Sequence, residues 1–240
     1  MNRDEIYKRA AGGTFNVDLG NQGDYTAYSV SFFVEQRDSP TVEGIPRKVH
    51  EIRNFYYLDR LERVPLGMSY PEIVKDVRNR LQDTFLRDFQ LVVDATGVGL
   101  PVLQMMTDEG LDPIGICITG GNNPGEWKDP RGRRMGYTVP KRDIITVMQS
   151  IFTGRRIKIF PSEGSRTLVD ELANYKYKLS RNGSDTYEAW RESIHDDLVM
   201  SSGIGLWYLN HIYGTKRKVI DENLELFKDK YDKFDAFGHI

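Results

Sequence analysis

The segment Phe89-Gln90-Leu91-Val92-Val93-Asp94 constrains the fold most: it is apolar almost without a break and ends on a carboxylate. A continuous apolar run of that length suits a central strand covered on both faces, whereas a strand with one wet face alternates. Val98–Glu109 follows with helical character, and Leu111–Thr119 is another buried strand. Strand, helix and strand at this spacing form a crossover unit, so the middle of the chain is a parallel sheet.

The chain opens differently. Phe15-Asn16-Val17-Asp18-Leu19-Gly20 and the β-branched, aromatic segment Ala27–Val34 flank the turn Gly20-Asn21-Gln22-Gly23-Asp24. This is a hairpin with Asp18 on its first strand. A third strand is expected at Glu51–Arg63, after the polar segment around Ser39-Pro40. Tyr70–Leu86 is expected to be a helix, with Pro71 in its first turn and Ile73, Val74, Val77, Leu81 and Phe85 at helical spacing. Beyond the crossover, 120–136 is rich in glycine and forms a long loop or a flexible hairpin. Lys141–Phe152 is a helix, Arg155–Phe160 a strand and Ser165–Ala173 a helix. Asn182-Gly183 is a hairpin turn between Tyr175–Ser180 and Thr186–Trp190. Ile194–His211 is a helix whose Ser201, Ser202, Gly203 and Gly205 are small enough to let it lie close on a sheet. Ile220–Asp235 is a charged, peripheral helix. The pattern predicts an α/β fold with antiparallel opening strands and parallel central strands, flanked by helices. That mixed order argues against a dinucleotide-binding fold, whose sheet is parallel from the start.

With 240 residues, one domain over 1–240 is expected, with a polar lead-in at 1–12 and a peripheral segment at 215–240. The formal net charge of −2 excludes a strongly basic DNA-coating protein. It leaves room for a protein with local basic patches and a clustered acidic site, because affinity follows the distribution of charge. The lone Cys117 excludes a disulfide framework and a thiolate zinc site; within Ile114–Ile118 it is expected to be a small buried strand residue. Arg3, Asp4, Glu5, Lys8 and Arg9 make the start unlike a secretory signal. No apolar stretch is long enough to span a bilayer, so no membrane and a reducing cytoplasm are expected.

The chemistry lies in aspartates at costly places. Asp is depleted in strands, yet Asp18 lies inside one and Asp94 ends another. A bound divalent cation would compensate both, and hard oxygen ligands suit magnesium or manganese. Each aspartate alone is equally a solvent-facing strand end or a helix cap, and Asp94 could cap the helix that begins near Val98. In His195-Asp196-Asp197 two carboxylates open a helix, where the dipole favours anions, so capping again competes with ligation. Adjacent helical side chains diverge. Asp197 is therefore expected as the main ligand, with Asp196 in support or on a second ion and His195 orienting a carboxylate or approaching a phosphate. Carboxylates on a first strand, a later central strand and a late helix start resemble the arrangement of RNase H-like nucleases. Two-metal phosphodiester hydrolysis needs such a set to hold two dications about 4 Å apart.

Four blocks carry a family resemblance. They are Val17-Asp18-Leu19-Gly20 with Asp24-Tyr25-Thr26-Ala27; Arg60-Leu61-Glu62-Arg63-Val64-Pro65-Leu66-Gly67; Val93-Asp94-Ala95-Thr96-Gly97-Val98-Gly99; and His195-Asp196-Asp197-Leu198-Val199-Met200. In this order they resemble the nuclease domain of the large terminase subunits of tailed bacteriophages. The resemblance implies an RNase H-like fold and a magnesium- or manganese-dependent endonuclease that cuts concatemeric viral DNA during packaging in the host cytoplasm. It carries acidic ligand roles onto Asp18, Asp94 and Asp196 or Asp197, and makes Asp24 a supporting candidate. It also implies double-stranded DNA, a terminase ATPase motor, a small terminase subunit and a portal as partners. The motor's phosphate loop, G-x-x-x-x-G-K-[ST], is absent from this sequence, which is expected of an excised or separately encoded nuclease. A junction resolvase of the same superfamily, or a module that binds without cutting, are the alternatives.

Lys128, Arg131, Arg133 and Arg134 cluster in the glycine-rich segment beside Trp127. Basic residues there can grip phosphates and Trp127 can stack on a base, or the segment is a solvated loop. Lys141, a cation at a helix start, is expected to reach the active-site groove. Gly97-Val98-Gly99 lacks the third glycine of a dinucleotide fingerprint; its glycines are expected to let backbone pass close to the site.

Overall fold

Alternating aromatic and β-branched residues set up the opening hairpin as the sequence predicts. In the computed structural model, which describes residues 2–20, 23–38, 41–42, 45–46, 51–97, 99–129, 131–178, 186–189 and 196–214, a short helix α1 (Arg3–Tyr7) leads into β1 (Gly12–Asp18) and β2 (Ala27–Asp38). The two strands pair antiparallel with Asp18 opposite Ala27. The minor strands β3 (Thr41–Val42) and β4 (Ile45–Pro46) precede β5 (Glu51–Arg63), which pairs antiparallel with β2. Next come α2 (Tyr70–Arg80), β6 (Gln90–Asp94), α3 (Gly99–Asp108) and β7 (Pro113–Thr119), the predicted crossover. The 120–136 segment resolves as a hairpin: β8 (Gly125–Lys128) pairs antiparallel with β9 (Arg134–Pro140). Then follow α4 (Lys141–Thr153), β10 (Ile157–Ile159), α5 (Glu163–Asn174), the paired strands β11 (Tyr175–Lys178) and β12 (Thr186–Ala189), and α6 (Asp197–Leu209), which passes into a π-helical turn at Asn210–Gly214. Val98, the Asn182-Gly183 turn and the predicted helix at 220–235 lie outside the described residues.

Eight strands form one sheet in the order β10-β5-β2-β1-β6-β7-β9-β8. β1, β6, β7 and β9 run parallel; β2 against β1 and β5, and β8 against β9, are antiparallel. The expected mixed sheet is therefore present. After β1 the chain builds outward through β2 and β5, then returns to lay β6 on the other flank of β1. Connections leaving the ends of β1 and β6 diverge, and such a switch in strand order opens a crevice at the C-terminal strand ends.

The apolar run of β6 behaves as its composition requires. Val92 faces a core shared with α4, α5 and α6, while Leu91 and Val93 face a second core shared with α1, α2 and α3. The polar lead-in proves structural: Tyr7 is buried and its hydroxyl donates to Asp59 on β5 at 2.7 Å. α2 stops at Arg80, short of the predicted Leu86. Asp83 accepts the backbone N–H of Phe85 at 2.9 Å and a bond from Arg60 at 2.8 Å, and that local turn competes with helix continuation. Cys117, expected to be buried, is half-buried. Among the described residues no helix is long and apolar enough to cross a membrane.

The small residues of α6 do what the sequence suggests. A Cβ on Gly205 would stand 2.2 Å from the Asn16 amide nitrogen. That amide cannot retreat, because its nitrogen donates to Ser29 and Ser31 Oγ at 3.0 and 2.9 Å within the buried sheet face. In an open helix Gly→Ala gains about 1 kcal/mol. Here overpacking dominates, and Gly205→Ala is expected to destabilise the protein by about 1–3 kcal/mol. Urea or thermal melts measure this; an unchanged or raised midpoint would show that α6 has room to spare.

Candidate metal centre

Two parallel strands in register bring the first carboxylates together. Val17 pairs with Val93, so Asp18 and Asp94 follow side by side at the ends of β1 and β6, on strands about 4.8 Å apart. Val17 and Val93 both face the α1–α3 core, so by strand alternation Asp18 and Asp94 face the opposite side, that of α6. Asp197 is the first residue of α6, on that same side. The structure thus brings Asp18, Asp94 and Asp197 to one side of the sheet, with Asp196 beside them.

The charges act on one another. Asp18 is half-buried, and burial lifts its carboxyl well above the usual range, aided by Asp94, Asp197 and Asp196; Lys141 opposes this. Burial also raises Asp94, which is 9% exposed, although its Oδ1 accepts the Thr96 N–H at 2.8 Å and Lys141 is near. The bond to Thr96 is a local turn rather than a cap on α3, which begins at Gly99. Asp196 makes no side-chain cap on α6 either; its Oδ2 lies 3.3 Å from Lys141 Nζ. Lys141 therefore does reach this group. As helical geometry requires, the neighbouring side chains diverge: Asp197 Oδ2 lies 3.4 Å from Arg63 Nε.

Arg63 and Glu171 were given no role from sequence. Glu171, on α5, is 4% exposed; its Oε1 accepts from Arg63 Nη2 at 2.7 Å, and its Oε2 accepts the Val199 N–H at 2.9 Å. Burial pushes its carboxyl up to about 7, against the pull of Val199 and Arg63. The guanidinium also lies 5.2 Å from the centre of the Tyr25 ring.

The oxygen donors suit a hard divalent cation in kind. Among the described residues no three acidic, imidazole or thiol groups already converge as a closed ligand set. Arg63 and Lys141 stand against Asp197 and Asp196, and an arriving ion would displace their influence. His195 lies outside the described residues. Asp24 is exposed on the β1–β2 turn, lining a separate cavity of about 570 Å³ with Leu66 and Met68. A cavity of about 700 Å³ lies at the other end of the strands, against Gly12, Gly13 and Gln90, away from the carboxylates.

The basic hairpin is locally neutralised. Lys128 lies 2.9 Å and Arg134 3.9 Å from Glu126, and Arg133 lies 3.2 Å from Asp129; Arg131 is exposed. Trp127 packs on the α1–α3 core rather than standing out for a base. Gly97 adopts φ +81°, a left-handed turn position, with no protein atom within 4 Å of where a Cβ would stand.

The shifts have a sign. The folded state holds protons on Asp18 and Asp94 more tightly than the unfolded chain does. Their contribution is full below the ordinary carboxylate range, about pH 4, and is lost as pH rises through the raised folded values. In chelator, Asp18→Asn is expected to raise the neutral-pH melting point by ~2–4 °C, about 1 kcal/mol. The gain should shrink toward acid pH. A gain that is constant or grows in acid contradicts the assignment of buried, mutually repelling carboxylates.

No protein-family model matches the sequence, and no curated protein does. Solved structures do. The large terminase nuclease from thermophilic phage G20c superposes over 81% of this chain and 80% of its own, at 18% identity and a TM-score of 0.52. The large terminase nuclease domain from bacteriophage SPP1, solved with bound Mn, matches over 85% of this chain and 90% of its own, at 12% identity and a TM-score of 0.49. The chain has the mixed, helix-flanked RNase H-like fold of the G20c large terminase nuclease.

Proposed function

We propose that this chain is a metal-dependent endonuclease of the large terminase type, one nuclease domain over 1–240 that cuts double-stranded viral DNA concatemers during genome packaging. What supports this reading is that Asp18 and Asp94 end two central parallel strands on the side of the helix start that carries Asp196 and Asp197, near enough for those charges to act on Asp18. A module that merely bound DNA would gain nothing from clustered negative charge beside phosphates. The likeness in fold to the G20c nuclease supports the same reading.

Asp18, Asp94 and Asp197 would hold magnesium or manganese, with Asp196 contributing to a second ion or supporting the first. When bound, the metal supplies an activated water and stabilises the departing oxygen. The protein's own residues prepare that chemistry. The sheet fixes Asp18 and Asp94, and Thr96 orients the Asp94 carboxylate through its N–H. Lys141, at the groove, is placed to meet a phosphate once Asp196 is engaged elsewhere. Charge balance supports two ions. With all groups ionised, the four aspartates and Glu171 outweigh Arg63 and Lys141. One dication leaves the cleft negative; two turn it positive, the sign a phosphodiester needs. His195 and Asp24 stay as supporting candidates, and Lys128, Arg131, Arg133 and Arg134 as a phosphate-facing hairpin. A terminase motor, small subunit and portal are the proposed partners, in the host cytoplasm.

Plasmid and linear duplex incubated with manganese or magnesium test the proposal. Cutting is expected only with metal, and Asp94→Asn or Asp197→Asn should lower it by about a thousandfold. Asp196→Asn should be milder, about tenfold. Cleavage that survives chelator or Asp94→Asn in folded protein sinks the reading, and cutting confined to branched DNA would move the enzyme to the resolvases.

A further inference from the structure

Glu171 is a buried carboxylate that the proposed chemistry assigns no ligand role, yet it touches both α6, which carries Asp197, and Arg63, which pairs with Asp197. Its Oε1 holds Arg63 at 2.7 Å, while the same guanidinium stays 3.4 Å from Asp197. Its Oε2 accepts the Val199 N–H, a first-turn donor of α6 that a capping side chain ordinarily takes. Asp196, at the cap position, makes no such bond and turns instead to Lys141.

A backbone irregularity aims Arg63 at this place. On β5, Asp59 pairs with Val30 and Glu62 with Tyr28, so Arg60 and Leu61 together oppose Ser29 alone. Arg60 adopts φ +47°, a left-handed conformation supported by the bond from its N–H to Asp59 Oδ1 at 2.7 Å. Such a bulge inverts the alternation beyond it. Before it, Tyr57 faces the α1–α3 core and Asp59 meets Tyr7. After it, Leu61 faces the α4–α6 core, Glu62 meets Arg80 of α2, and Arg63 turns to α5 and α6. A regular strand would leave Arg63 on the wrong face.

Building on the metal-site reading above, we propose that Glu171 is a positioning residue for the metal centre. By holding Arg63 at 2.7 Å, against 3.4 Å from the same guanidinium to Asp197, it takes the larger share of a cation that both carboxylates contact. By bonding Val199 it caps α6 from outside, so that Asp196 at the cap position is not needed for that bond. Without the Glu171 charge, Arg63 closes on Asp197 and competes with the metal.

Manganese binding by calorimetry, without DNA, at mildly alkaline pH and on protein whose fold is checked by circular dichroism, tests this. Glu171→Gln keeps an acceptor for Val199 and is expected to weaken manganese about 10- to 100-fold. In an Arg63→Met background the same substitution should change binding less than about twofold, because it acts through Arg63. Glu171→Asp, which keeps the charge but shortens its reach, should fall between wild type and Glu171→Gln. Equal loss in both backgrounds would mean a plain field effect and overturns the proposal, as does unchanged binding in Glu171→Gln. Wild-type protein that takes up no manganese overturns the metal centre itself, and this inference with it.

Discussion

Mutual repulsion between carboxylates fixed on neighbouring parallel strands is the constraint around which this molecule is arranged. β1 and β6 pair in register, so Asp18 and Asp94 have no freedom to separate. Burial removes the water that would screen them, and both carboxyls rise in consequence. The protein offsets this only in part. Thr96 donates to Asp94, and Lys141 eases both aspartates. The remainder weighs against the folded state wherever these carboxylates are ionised.

α6 makes such a site affordable. Every residue from Asp197 to Leu209 is buried, which is the mark of a helix enclosed by protein on all sides. It lies close on the sheet because Gly205 rests against Asn16 and Gly203 against Ile144 and Met148. A helix so enclosed cannot tilt, and Asp197 at its first position inherits that rigidity. Its N-terminal dipole favours the anions placed there. Asp196 and Asp197 therefore meet a dipole and two cations, whereas Asp18 has the pull of Lys141 against three like charges. Asp18 is the least compensated of the group.

Much of this was legible in the sequence for identifiable reasons. The continuous apolar run of β6 and the predicted crossover set the parallel centre, and β5 spans the residues expected of the third strand. Aspartates within strands stood out because Asp is out of place there. Pattern failed where side chains overrode periodicity: Asp83 ends α2 a turn and a half early through its own backbone bond. It also failed for Trp127, whose basic neighbours suggested a nucleic-acid contact while its ring belongs to a core.

Arg63 and Glu171 were beyond any local pattern. They stand 108 residues apart in sequence, and no period links them. Counting alternation straight along β5 assigns Arg63 to the face of Tyr57 and Asp59, away from the aspartates. The assignment reverses because one residue, Arg60, adopts a left-handed conformation that favours glycine, with no glycine there to announce it. Its support is tertiary as well as local. Asp59 bonds the Arg60 N–H and is itself bound by Tyr7 and Arg3, while Asp83 holds the Arg60 guanidinium. The α1 lead-in and the turn after α2, both remote from the carboxylates, thus hold the bulge that points Arg63 at them. In this molecule, the sign of charge facing Asp197 depends on contacts made on the opposite face of the sheet.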